Sequence, residues 1–220
     1  STRSDLVGEE VASDLSQLQD HLAPFPASYA KAAIEQELEF KLEDSFKEFE
    51  DQPLAAASIA QVHLAITSEG QEVAVKILRP GIETAFKKDI ELFFWIAELI
   101  EYTHPDLRRL KPVEVIRTFQ ETTQVEMDLR LEAAAAEEMK KNFAGDPTFT
   151  VPSVDWHRTA QRVLTLARVH GVPIDERELL IKQGFDPNEI VARAATALFK
   201  QVFRDGFFHA DQHPGNLFVG

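Results

Sequence analysis

The stretch His209-Ala210-Asp211-Gln212-His213-Pro214-Gly215-Asn216 lies close to the C-terminal end of a sequence of 220 residues. An aspartate is followed five positions later by an asparagine, and the Pro-Gly pair between them favours a tight reversal of the backbone. A carboxylate that can accept a proton is thereby brought near an amide oxygen that can bind a cation. The stretch is a candidate catalytic loop.

The Asp-x-x-x-x-Asn spacing, with a histidine two residues before the aspartate, is that of protein-kinase catalytic loops. In these loops the aspartate accepts or orients the proton of the attacking hydroxyl, and the asparagine holds Mg²⁺ on the phosphates. We therefore predict that Asp211 is catalytic and that Asn216 binds the metal. Two other interpretations stay open. One is a polar turn after a helix, and the other is a metal-dependent hydrolase site with His209, Asp211 and His213 as ligands.

A lysine follows alternating small apolar residues in Val73-Ala74-Val75-Lys76. In kinases such a strand lysine binds the α- and β-phosphates and pairs with a glutamate of a helix. We predict this role for Lys76. The alternative is a lysine that only extends its charge into solvent from the edge of a strand.

The segment upstream of Lys76 is rich in alanine where a kinase would have a glycine-rich loop. It contains Ala55, Ala56, Ala57 and Ser58, and the first 69 residues contain one glycine, Gly8. Each alanine adds a Cβ that restricts the backbone, so the loop should lie differently over a nucleotide. We predict that these four residues bind nucleotide, with the Ser58 hydroxyl available to a phosphate. Close packing of small side chains is the alternative.

The order of predicted elements is that of an α+β protein. Three short antiparallel strands are predicted at 45–51, 58–67 and 71–78, with a turn at 68–70. A long helical region then runs to about residue 141, with breaks near Pro105 and Pro112 and space for a kink. The sequence further predicts a helix at 28–39 capped by Ser28, strands at 148–154 and 162–169, and a helix from Asp186 to about Arg204 that stops at Gly206.

Composition excludes several classes of function. A net charge of −14 argues against a nucleic-acid partner, because phosphate backbones repel acidic surfaces. The absence of cysteine excludes disulfides, cysteine-ligated zinc and thiol catalysis. No signal peptide or membrane span is predicted, since the most apolar run, residues 90–100, is too short to cross a bilayer.

These features together resemble the UbiB family (ADCK in animals), atypical protein-kinase-like proteins tied to coenzyme Q biosynthesis. The resemblance is carried by residues 1–6, 18–20, 53–63, 73–82, 126–128 and 201–216. It implies a protein-kinase-like two-lobe fold with an N-terminal helical extension at 1–44. The N-lobe would span 45–168, with a helical insert at about 82–142, and a partial C-lobe would span 169–220.

The resemblance also implies roles for particular residues. Glu126 and Asp128 match the family's Glu-x-Asp motif, and we expect Glu126 to be the partner of Lys76. Glu91 and Glu98 are alternatives, although a solvated helix face explains both more simply. The alanine-rich loop of the family is associated with a preference for ADP and with suppressed protein phosphorylation.

From the resemblance we expect an ATP/ADP-binding and Mg²⁺-binding kinase or ATPase that supports ubiquinone biosynthesis. A non-catalytic nucleotide-sensing scaffold of a biosynthetic complex is the alternative. The family's Lys-x-Gly-Gln motif would precede Ser1, and its Asp-Phe-Gly motif and membrane helices would follow Gly220, so we expect a soluble fragment with weak turnover. The full-length protein is expected at the cytoplasmic side of the bacterial inner membrane, with ubiquinone-biosynthesis proteins or lipid intermediates as partners.

Overall fold

A five-stranded antiparallel sheet is the centre of the computed structural model, which describes residues 23–208 and 216–220. Its strands run in the order β1-β3-β4-β5, and β2 pairs with the N-terminal end of β3. The strands are β1 Phe46–Phe49, β2 Ala55–Ala56, β3 Ala60–Thr67, β4 Glu72–Leu78 and β5 Val163–Ala167. The predicted hairpin turn between β3 and β4 is confirmed, and Gly70 adopts a left-handed φ of 89° there.

Helices surround this sheet and continue beyond it. They are α1 Ala27–Leu38, α2 Leu42–Ser45, α3 Ile82–Thr103, α4 Pro112–Glu126, α5 Leu129–Asn142, α6 Arg177–Lys182 and α7 Pro187–Phe199. Short 3-10 helices are found at Pro105–Leu110 and Trp156–Arg158, and a π-helical turn, Lys200–Asp205, extends α7. Within residues 23–208 and 216–220, none of the helices combines the length and the apolar character that a bilayer crossing requires.

Strand β4 separates two parts of the hydrophobic core because its side chains alternate between the faces of the sheet. Val75 and Ile77 lie on one face and pack in a buried cluster with Ile34 of α1. Leu78 lies on the other face, in a cluster with Leu129 and Ala133 of α5. Each fully buried aliphatic side chain of this size contributes roughly 1.5–3 kcal/mol. Helix α5 is therefore fixed against the face that also carries Lys76.

The long helical region after Pro112 is two helices. Helix α4 ends at Glu126, and Asp128 has an extended backbone (φ −115°, ψ 93°) and caps α5 by accepting from the Arg130 N–H at 3.1 Å. Met127 between them is buried in the cluster around Leu129. The break lets α5 begin in a new direction, which brings its first turns over the sheet.

Two local predictions are wrong. Residues 148–154 do not form a strand; Val154 alone makes an isolated bridge, to Leu166. The prolines at 147 and 152 lack an N–H for a ladder, and Phe149 and Val151 pack against the cluster of Met139, Phe143 and Ala197 instead. Ser28 is not an N-cap either, since α1 begins at Ala27, after Pro26, without a side-chain cap.

The segment that leads to the candidate catalytic loop is held against the end of α5. Asp186 caps α7 by accepting from the Asn188 N–H at 2.9 Å, as predicted. Further along, Lys200 donates to Asp146 at 2.5 Å, and Arg204 donates to the Asn142 carbonyl at 2.9 Å. The helix stops at Gly206, with a φ of 63°, as predicted.

Candidate functional site

Lys76 forms a two-pronged ion pair with a carboxylate of α5. Its Nζ donates to Oε1 and Oε2 of Glu132 at 2.9 and 2.7 Å. The lysine side chain is 31% exposed and that of the glutamate 40%, so the pair borders the protein interior and is open to solvent on one side. A lysine held in this way has a defined direction and keeps its third N–H as a donor that a phosphate oxygen can approach.

The expectation that Glu126 pairs with Lys76 is wrong. Glu126 is exposed at the end of α4, and the break at Met127 and Asp128 separates it from the first turns of α5. Glu132 lies next to Ala133, which is buried against the sheet, and so it reaches the lysine. Glu91 and Glu98 are exposed on α3, as a solvated helix face requires.

Glu132 is the residue that sequence reasoning missed. The available signal was the capping pattern at Asp128, because a helix starting there places Leu129 and Ala133 on one buried stripe, four residues apart. Glu132 borders that stripe. A glutamate beside the buried stripe of the helix on the sheet is better placed for a strand lysine than one at a helix end.

The alanine-rich loop lies in register with Lys76. Ala55 pairs with Val62 on β3, and Val62 pairs with Lys76 on β4. Because directly paired residues share a face, Ala55 and Lys76 stand on the same face of the sheet, two strand spacings or roughly 10 Å apart. The structure thus brings the predicted loop and the predicted lysine together.

The tip of this loop is a short turn between β2 and β3. The Ala57 N–H donates to the Ala60 carbonyl at 2.8 Å, and Ser58 is exposed between them. Ala56 pairs with Gln61. The loop is consequently part of the sheet up to its tip, and Ser58 is the side chain at that tip that carries a hydroxyl.

Of the candidate catalytic loop, residues 209–216, the structure describes only the last residue, Asn216. Asp211, with His209 and His213, lies outside the described residues. Asn216 is exposed and lies two residues before the first residue of β7, Phe218–Val219, which pairs antiparallel with β6, Val172–Pro173. The Ile174 N–H also donates to the Leu217 carbonyl at 3.0 Å. This short ladder fixes the chain immediately after Asn216.

In the part of the chain that the structure describes, no three His, Cys, Asp or Glu residues come together as metal ligands. The alternative hydrolase site at His209, Asp211 and His213 is outside that part. An Asn216 amide oxygen together with nucleotide phosphates is a chemically suitable environment for Mg²⁺, which prefers oxygen ligands and keeps several waters.

Comparison with known proteins supports the same architecture. The model of the ABC1 atypical kinase-like domain matches residues 17–220. The chain belongs to this family. Among curated members of the ABC1 atypical kinase-like family, the "Probable protein kinase UbiB" of Marinobacter nauticus is 43% identical and that of Pseudomonas aeruginosa 44% identical, each over the whole chain. The chain spans about 40% of the length of these relatives. The resemblance inferred from the motifs is confirmed.

Comparison with a solved structure supports a protein-kinase-like fold for this ABC1 family member. The erythromycin complex of a Mycobacterium tuberculosis protein superimposes with a TM-score of 0.75 at 33% identity, over 98% of this chain and 53% of that one. The neighbour has a protein-kinase-like fold, and the mixed helices and antiparallel sheet agree with it. The predicted α+β, kinase-like class is confirmed.

A buried histidine of β3, His63, supports the alanine-rich loop from the face of the sheet opposite to Lys76. His63 is fully buried; its Nδ1 lies 2.7 Å from the Glu50 carbonyl, and its Nε2 lies 2.7 Å from the Gln61 amide nitrogen. Because that nitrogen also contacts the Phe25 carbonyl and can only donate, Nε2 accepts and Nδ1 carries the proton. Burial lowers the pKa of His63, and the neutral ring fits these partners.

Acidification is expected to destabilise the protein through His63. A folded pKa below the unfolded value of about 6.5 means that the unfolded state binds more protons below that pH. Its contribution to stability is therefore complete above pH ~6.5 and is lost as the pH falls toward the folded pKa, with a slope of up to about 1.4 kcal/mol per pH unit. Denaturant unfolding at several pH values between 7.5 and 5 should show a smaller dependence of the unfolding free energy on pH for His63→Asn than for the wild type. Equal slopes for wild type and His63→Asn would contradict this assignment.

Proposed function

We propose that the chain binds ATP or ADP with Mg²⁺ and is the nucleotide-binding part of an atypical kinase or ATPase. The observation that carries this proposal is the Lys76–Glu132 ion pair on the sheet face shared with the alanine-rich loop. A strand lysine paired with a helix glutamate is the arrangement that kinases need to hold the α- and β-phosphates. Family membership supports the same proposal.

In this proposal each residue has a distinct task. Glu132 orients Lys76, and Lys76 donates to phosphate oxygens of the nucleotide. Asp211 accepts or orients the proton of the attacking hydroxyl or water, and Asn216 helps to hold Mg²⁺. Bound Mg²⁺ supplies charge neutralisation on the phosphates. Glu126 stays a proposed nucleotide-site residue through a contact other than Lys76.

The alanine-rich loop favours a particular variety of this chemistry. Ala55, Ala56 and Ala57 carry Cβ atoms where a glycine-rich loop allows the backbone to approach phosphates closely, and the loop is further fixed by its pairing with β3. A loop that cannot close tightly over a γ-phosphate is consistent with preferential ADP binding and with little protein phosphorylation. Ser58 at the tip is the proposed hydroxyl contact to a phosphate.

The biological setting is proposed from the relatives. Two bacterial relatives carry the name "Probable protein kinase UbiB", and we propose that the protein supports ubiquinone biosynthesis, with ubiquinone-biosynthesis proteins or lipid intermediates as partners. We propose that the full-length protein is anchored at the cytoplasmic side of the inner membrane.

Nucleotide binding and biological function together test the proposal. Calorimetric titration of the full-length protein that carries this sequence with ADP and with ATP, each with Mg²⁺, should show saturable binding. Asp211→Asn should keep the nucleotide affinity within about twofold and abolish ubiquinone production in a strain that lacks the native protein. No nucleotide binding would refute the proposal. Full function of Asp211→Asn would support the nucleotide-sensing scaffold instead of the enzyme.

A further inference from the structure

Arg79, directly after β4, contacts the peptide groups on both sides of Ser58. Its backbone N–H donates to the Ile59 carbonyl at 2.8 Å, and its Nε donates to the Ala57 carbonyl at 3.1 Å. The two residues that flank Ser58 are thereby attached to one residue at the end of β4. The exposed Ser58 lies between these two attachment points.

The Arg79 side chain is itself held from the opposite side. Its NH2 group donates to the Ala23 carbonyl at 3.1 Å, and its guanidinium carbon lies 5.6 Å from the centroid of the Phe25 ring. Phe25 is fixed in turn, because its N–H donates to the Gln61 side-chain oxygen at 3.1 Å and its carbonyl accepts from the same amide at 3.2 Å. The segment around Ala23 and Phe25 thus forms a support for the guanidinium.

The charge of Arg79 is not paired with a carboxylate among the residues that the structure describes. Its described side-chain partners are carbonyl oxygens and an aromatic face, which satisfy donors and leave a net positive charge beside the loop. Neighbouring Arg162 differs, since its Nε lies 3.0 Å from Glu83. A guanidinium that lacks a carboxylate partner within residues 23–208 and 216–220 favours an anionic ligand beside the loop.

We propose that Arg79 is a positioning residue for the bound nucleotide, which holds Ala57 and Ile59 so that the Ser58 hydroxyl is directed at a phosphate. This inference rests on the proposed nucleotide binding and extends it to a residue outside the loop. The planar fork of arginine matters here, because Nε and NH2 must point at two carbonyls at once. Lysine keeps the charge but places its donors around one nitrogen and cannot reproduce the fork.

A double-mutant cycle tests this role in the full-length protein, with ADP and Mg²⁺ as the probe. Arg79→Lys and Ser58→Ala are each expected to weaken ADP binding about tenfold, as the loss of a hydrogen bond to a charged group does. The double variant should also bind about tenfold more weakly, because the two residues act through one contact. Arg168→Gln, an exposed arginine paired with Glu72 at the far end of the sheet, is the matched control and should change affinity less than about twofold.

The outcomes separate this inference from the proposed function. A wild type that binds no nucleotide overturns both. Nucleotide binding with additive losses in the cycle, or with wild-type affinity for Arg79→Lys, overturns the positioning role and leaves the proposed function standing. Should Arg79→Lys not fold, as judged by its thermal unfolding, Phe25→Leu removes the ring beneath the guanidinium and keeps an apolar side chain against the core cluster. That variant should weaken ADP binding in the same direction and show the same non-additivity with Ser58→Ala; additivity would overturn the inference.

Discussion

Replacing Lys76 by alanine is expected to weaken ADP and ATP binding by about 10- to 100-fold, and to reduce any hydrolysis by at least as much. The side chain supplies charge-assisted hydrogen bonds, which contribute about 1.5–3 kcal/mol each. Its loss also leaves the Glu132 carboxylate unpaired beside the phosphates, which adds repulsion. Isothermal titration of the purified protein with ADP and Mg²⁺ measures the affinity, and thermal unfolding shows whether the fold is kept.

Two glutamine variants test which carboxylate near the break between α4 and α5 holds Lys76 in place. Glu132→Gln should weaken nucleotide binding several-fold, since the neutral amide no longer fixes the Lys76 ammonium. Glu126→Gln should leave Lys76 in place, because that carboxylate is exposed at the end of its helix. Lys111→Ala is a suitable control, as its pair with Glu114 is a surface pair within one helical turn. A wild-type nucleotide affinity for Glu132→Gln would contradict the role given to the Lys76–Glu132 pair.

The largest loss of stability is expected from Arg158→Gln. Arg158 is 5% exposed, and its guanidinium donates to the Ser45 carbonyl, to Asp155 and to Glu69, at 2.9, 2.8 and 2.8 Å respectively. It joins the start of β1, the β3–β4 turn and the segment before β5. Removing the charge leaves Asp155 and Glu69 without their cation, and the Ser45 carbonyl keeps only the Ser68 N–H as a donor. Substitutions that break a buried pair cost about 3–5 kcal/mol.

Chemical denaturation at neutral pH measures this loss. Arg158 lowers the pKa of Glu69 to about 2, so the carboxylate is ionised throughout the range in which the experiment is practical. The control is Arg168→Gln, whose partner Glu72 is at 3.5 Å on the surface and whose loss should cost at most about 1 kcal/mol. Similar unfolding free energies for the two variants would show that Arg158 does not join these three segments.

Local sequence signals were sufficient for most elements on which the site depends. Alternation predicted the β3–β4 hairpin with Lys76 on it, and capping residues predicted α7 from Asp186 to Gly206. The partner of Lys76 was not predictable from a short motif, because it depends on where α4 stops and in which direction α5 starts. That direction is set by packing of Met127 and Leu129 under the sheet, a long-range contact.

Residues 148–154 show the opposite case, in which a local pattern was present but tertiary packing prevailed. Their alternation is that of a strand, yet Phe149 and Val151 bury their side chains against α5 and α7. The support of the loop by Arg79 was also beyond sequence reasoning. Nothing in the spacing of Ala23, Ala57 and Arg79 shows that one guanidinium contacts the first two.

The alternation along β4 has a consequence for how variants of this protein are interpreted. Val75 and Ile77 face the cluster with α1, whereas Lys76 between them faces α5 and the loop. Substitutions at 75 and 77 are therefore expected to change the amount of folded protein, whereas substitutions at 76 are expected to change the proposed nucleotide binding of each folded molecule. A survey of variants that averaged over a window of a few residues would merge these two expected effects, although the strand places the side chains on opposite faces of the sheet.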